Sequence, residues 1–111
     1  MTRPPRDFIM PQKVGKTELR RIFNDPVLRT SLLKRTNQRV DVSINPASPE
    51  CQQEPGTESH VYDWMEYVEQ EDRMRLLATV HQFRKPDGTF GGSGQPDPIV
   101  VVVDGVPHTD P

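Results

Sequence analysis

The sequence predicts a small α+β domain, with basic helices near its N-terminus and an antiparallel strand and hairpin unit toward its C-terminus. Three observations point there. Apolar residues repeat at helical spacing from Leu19 to Leu33, a loose alternation begins at Met74, and a run of β-branched residues spans Ile99 to Val103. Length and composition bound the rest. At 111 residues the chain has room for one small domain plus tails. Its hydrophobic share of 32% stays below the roughly 45–50% of ordinary globular chains even with its seven glycines added. Leu, Ile, Val and Phe number 26 in all, little above the roughly 20% below which a charged chain stays disordered, so partial order with flexible portions is expected.

Residues 1–16 read as a flexible basic arm, because Pro4, Pro5 and Pro11 remove backbone donors and helical freedom, although Phe8, Ile9 and Met10 offer a way to dock it. Residues 17–42 read as a basic helical segment. Thr17 is a candidate N-cap ahead of Leu19, Ile22 and Phe23, and Asp25-Pro26 marks a second start with Pro at the first helical position. Val27, Leu28, Leu32 and Leu33 then supply an apolar face. Residues 43–59 hold three prolines and few apolar side chains, so nothing there offsets the entropy of ordering, and a disordered linker is expected.

The remaining segment, 60–108, reads as a small α+β unit. Val61, Trp64, Met65 and Val68 fit the i, i+3, i+4, i+7 template of a short helix ending near Glu69 or Gln70. A strand over 60–70 and a single helix over 60–84 stay open as alternatives. From Met74 to Phe83 the alternation favours a strand. Lys85-Pro86-Asp87-Gly88 is the clearest turn signal in the chain, with Thr89 and Phe90 starting a return strand. A glycine- and proline-rich loop follows to Pro98. Ile99–Val103 reads as a strand buried on both faces or covered by a neighbour, Asp104-Gly105 as a turn, and Val106-Pro107 as a short edge arm.

Charge is segregated along the chain. Residues 1–40 carry ten Lys or Arg against Asp7, Glu18 and Asp25, residues 41–72 carry nine carboxylates and no cation, and the remainder is balanced. The basic stretch offers Lys13, Lys16, Arg20, Arg21, Arg29, Lys34, Arg35 and Arg39 as candidate phosphate contacts, with Thr36, Asn37 and Gln38 as added hydrogen-bonding groups. A solvated face, or pairing with the acidic 50–72 segment, accounts for the same residues. Trp64, Met65 and Tyr67 form an acidic–aromatic patch that reads as core on one side or as an interface anchor. The chain holds too little apolar surface to order itself unaided, so Val100 and Val102, on an exposed edge, are expected to meet a partner or a second copy.

Catalytic and metal chemistry find little footing. His60, His81 and His108 lie in different elements without metal-ligand spacing, Cys51 is the lone cysteine, and the cluster Gly88, Gly91, Gly92 and Gly94 lacks the helix start that a phosphate loop needs. No cofactor, metal or small-molecule substrate is expected. A hydrolase or transferase would require His81, Asp87 and Asp97 to converge in a concave pocket. Met1–Arg6 has charge but no apolar run behind it, and no window approaches about 18 apolar residues, so a cytoplasmic protein without a membrane span is expected.

Val80-His81-Gln82-Phe83-Arg84-Lys85-Pro86-Asp87-Gly88-Thr89-Phe90-Gly91-Gly92-Ser93-Gly94-Gln95-Pro96-Asp97-Pro98 resembles a segment of small uncharacterised bacterial and phage-borne proteins. In those, an aromatic-rich strand leads into a Pro-Asp-Gly-Thr turn and a Gly-Ser-Gly-x-Pro-Asp-Pro loop. The resemblance implies a bacterial or phage cytoplasmic origin and a β-hairpin rather than a helix over 74–90, and it transfers no functional residue. The expectation is therefore a non-enzymatic accessory protein that binds other macromolecules. A nucleic-acid-associated protein using 13–39 ranks second and a small hydrolase or transferase third.

Overall fold

The computed structural model of the chain describes residues 10–47, 54–91 and 96–110. Its elements are β1 (Gln12–Lys13), α1 (Lys16–Phe23), α2 (Pro26–Leu32), β2 (Asn37–Pro46), β3 (Glu58–Val68), β4 (Arg73–Arg84), β5 (Asp97–Val103) and β6 (Val106–Thr109), with a 3-10 turn at Glu69–Glu71 between β3 and β4. The strands form one mixed sheet in the order β1-β6-β5-β4-β3-β2. Every neighbour is antiparallel except the parallel β1–β6 pair. With 52% strand and 20% helix among the described residues, this corrects the expectation of a helical segment joined to a hairpin unit. The described residues form a six-stranded sheet carrying two short helices.

Both helices form for local reasons. Gly15 takes the extended N-cap position, so α1 begins at Lys16 and Thr17 sits inside its first turn. Asp25 caps α2, its Oδ1 accepting from the Val27 and Leu28 amides at 2.8 and 3.3 Å, and Pro26 fills the first position, where a missing amide leaves nothing unpaired. At the other end the Asn37 side-chain amide donates to the Ser31 and Leu32 carbonyls, groups that α2 cannot satisfy itself. Leu19, Phe23 and Leu32 are fully buried against Tyr62, Ala78, Val80 and Val101. Val27 and Leu33, expected on the apolar face, stay exposed. Tyr62, buried by this contact, donates its hydroxyl to Gln82 Oε1 at 3.1 Å.

Four further expectations change. Residues 60–68 are strand, with the 3-10 turn beginning at Glu69, because β3 pairs with β4 from Glu58↔Arg84 to Val68↔Arg73, and the ladder overrides the helical spacing of Val61, Trp64, Met65 and Val68. The basic helical segment ends early: residues 37–42 belong to β2, which continues to Pro46 in what read as linker, while 48–53, including Cys51, lie outside the described residues. The β5 strand is interior, with β4 on one side and β6 on the other, so Val100 and Val102 are on no edge. Nor is Val106-Pro107 an edge arm, since β1 lies outside β6. The turn at 85–88 forms as read: the Gly88 amide donates to the Lys85 carbonyl at 2.9 Å and Gly88 holds φ +88°. Its return strand is limited to one bridge, Arg84↔Phe90.

Size decides what the helices leave bare. Helices of eight and seven residues span about 10–12 Å each, whereas the twelve residues of β4 run about 40 Å. They cover one face of the sheet in part, and no element among the described residues lies over the other.

Candidate interaction surface

The basic residues do not gather into one face. Lys16 Nζ and Arg20 Nε reach the two oxygens of Asp97 at 3.2 and 3.4 Å, tying α1 to the start of β5. Arg21 grips Glu18 through two nitrogens, which lowers the Glu18 pKa and raises its own. Arg29 stacks 4.0 Å from the Phe23 ring centre and donates to Asn24, while Arg39 lies 3.6 Å above Tyr62. Lys13, Lys34 and Arg35 make no ion pair among the described residues. In the acidic stretch, Glu66 and Glu71 pair with Arg75 and Arg73, cations from the balanced C-terminal third.

The titratable groups named for catalysis share no hydrogen bond among the described residues. Asp87 is held in its turn by the Thr89 amide and hydroxyl at 2.9 and 2.6 Å, bonds that lower its pKa. Asp97 stands opposite His81 in the ladder, yet its carboxylate faces Lys16 and Arg20. His81 Nε2 lies 2.7 Å from Ser59 Oγ, and burial lowers its pKa. His60 meets Glu58 at 3.2 Å and His108 Nδ1 the Val106 carbonyl at 2.8 Å. Among the described residues this Ser–His contact on the sheet has no carboxylate hydrogen-bonded to the ring, the third member that an acyl-transfer triad uses. No cluster of three or more metal-ligating side chains occurs among the described residues. An open cleft of about 720 Å³ lies between the helices and β5–β6, floored by Val14, Ile22, Leu28 and Val103. The charges of Glu18 and Arg21 on its wall are spent on each other.

The open face of the sheet is the distinctive surface. Residues paired across antiparallel strands share a face and neighbours along a strand alternate. Tyr62, Ala78, Val80 and Val101 point at the helices, so the ladder sets Val61, Asp63, Met65 and Tyr67 of β3, Thr79, His81 and Phe83 of β4, and Val100 and Val102 of β5 on the opposite side. Bulges at Leu77 and Ile99 keep the two faces in phase. Met65, Tyr67, Val100 and Val102 thus lie on one face. Trp64 does not: it packs toward the helices, edge-on to Tyr62 at 6.4 Å between ring centres. Three carboxylates meet these side chains and each is bonded: Asp63 accepts from the Thr79 hydroxyl at 2.8 Å, Asp72 accepts from the Tyr67 hydroxyl, and Asp97, opposite His81 in the ladder, pairs with Lys16 and Arg20.

The free edge of the sheet was not foreseen. Val40, Val42 and Ile44 of β2 are 45%, 57% and 49% exposed, and no strand among the described residues pairs with the outer side of β2. The alternation of Val40, Val42 and Ile44 with Asp41, Ser43 and Asn45 has the period of a strand, yet these apolar side chains stay wet. No helix among the described residues is long and apolar enough to cross a membrane. Comparison with protein-family models, curated proteins and solved structures finds no match.

Proposed function

We propose that this chain is a non-enzymatic binding module that engages another protein through the open face of its sheet. The observation carrying this reading is the chemistry of that face. Val61, Met65, Tyr67, Phe83, Val100 and Val102 offer half-buried or exposed apolar surface, and the carboxylates beside them, Asp63, Asp72 and Asp97, are each already bonded. Contiguous apolar surface with little charge is what protein interfaces use at their centres. A partner with a matching apolar patch buries it without stranding a charge.

The test is a pull-down from extracts of the native cell with the full chain, comparing the wild type with Met65→Lys and Val100→Lys. Partners held by the wild type are expected to drop at least tenfold with either variant. Retention of the same partners at equal yield would sink the reading.

The nucleic-acid reading draws on Lys13, Lys34 and Arg35, the cations of the basic stretch with neither an ion pair nor a ring contact among the described residues. Three phosphate contacts predict weak binding that falls about 40-fold between 50 and 200 mM salt. A gel shift at 50 mM salt checks it, and no retardation of DNA or RNA disposes of it.

A further inference from the structure

We propose that β2 pairs antiparallel with β2 of a second copy of this chain, with the two-fold axis at Val40 and Arg39 of each copy facing Asp41 of the other. This concerns the edge of the sheet and goes beyond the open-face reading.

Three observations carry it. First, β2 is the last strand in the sheet order and ten residues long, so its outer side presents a row of backbone groups without a strand partner among the described residues. The usual guards are thin. Lysine is absent from the strand, and its one proline, Pro46, stands at the far end. Second, Val40, Val42 and Ile44 project from this edge into solvent, where a paired strand would cover them.

Third, the charges are self-complementary. Arg39 and Asp41 flank Val40, both are exposed, and neither has an ion-pair partner among the described residues. Arg39 rests on the Tyr62 ring, which holds its guanidinium on the helix side of the sheet; Asp41 opposes Tyr62 in the ladder and lies on that same side. Across a two-fold at Val40, each Arg39 meets an Asp41 directly opposite, giving two ion pairs in one symmetric contact. Other registers lose this. Centring on Arg39 or Asp41 sets like charges face to face, and centring on Val42 puts the axis on the extra residue of the bulge between Asp41 and Ser43. From Asn37 to Asp41 the pairing with β3 is unbroken, so the backbone at the chosen axis is regular. The two sheets would join into one.

A contact this small belongs with weak interfaces, so the association is to be read over about 1 µM to 1 mM. Sedimentation equilibrium of the full chain is expected to show a monomer–dimer equilibrium in that range. Arg39→Glu and Asp41→Arg each place like charges opposite and are expected to weaken it at least tenfold. The double variant R39E/D41R is expected to recover wild-type association within about threefold, a rescue that only this register provides. Val40→Lys, outside the charge pair, is expected to weaken it independently, and circular dichroism verifies that each variant is folded. A wild type monomeric throughout overturns the proposal, as does a dimer indifferent to Arg39→Glu or a double variant no better than the singles. A dimer lost with Val100→Lys but unmoved by Arg39→Glu also overturns it, while leaving the open face as a contact surface.

Discussion

His81 is the side chain whose protonation the fold resists most plainly. Burial lowers its pKa, Asp97 pulling the other way and Lys16 and His60 adding to the shift. The folded state therefore keeps the ring neutral at a pH where the unfolded chain, titrating near 6.5, already takes a proton. Its contribution to stability is complete above that value and is lost as pH falls through the lowered folded pKa. Urea unfolding at pH 7.5 and pH 5.5 should show wild-type stability dropping with acid and His81→Asn dropping less. Equal losses would mean that His81 is not the sensor. Tyr62 shows the same principle in a group that never ionises in this range: burial raises its pKa, and its hydroxyl finds Gln82, so the core holds a phenol without an orphaned donor.

Among the elements, α2 depends most on one residue. Asp25 satisfies two amides of a seven-residue helix that buries only Leu32 fully, so Asp25→Ala is expected to cost about 1 kcal/mol. Chemical denaturation measures it, and an unchanged midpoint would show that packing alone sets α2. This cap was legible because Asp-Pro is a local signal. So were the β4 alternation, the β-branched run of β5 and the Pro-Asp-Gly turn, whose causes all lie within a few residues. β3 was illegible for a physical reason: it has apolar neighbours on both faces, Tyr62 and Trp64 toward the helices and Val61 and Met65 away from them, so its period of two is erased and a helical spacing emerges by accident. β2 has a strand signal in the alternation of Val40, Val42 and Ile44, but it is short, none of the three is buried, and the strand is ordered by β3, whose paired residues lie a dozen or more positions away.

At the scale of the whole molecule, order should be graded from the middle of the sheet outward. Leu19, Phe23 and Leu32 cover β3, β4 and β5 at their centres, whereas β2 has no strand beyond it and β1 contributes only two residues. Amide hydrogen exchange is expected to be slowest for the Tyr62, Ala78, Val80 and Val101 region and fastest in β1 and on the outer side of β2. Uniform protection across the six strands would contradict this. The same grading explains the limit on reading a site: the open face was legible in Met65, Tyr67, Val100 and Val102 as apolar residues, but their meeting on one side is a property of register between strands.

The parallel contact of β1 with β6 has a mechanical meaning. Gln12 and Lys13 lie beside His108 and Thr109, and the Val14 amide reaches the Thr109 carbonyl at 2.8 Å. Because the two strands run the same way, a tug on the chain before Gln12 and after Thr109 drags them past each other lengthwise. The bonds bear such a load side by side and yield together, as a lap joint does, instead of peeling in turn like a zipper.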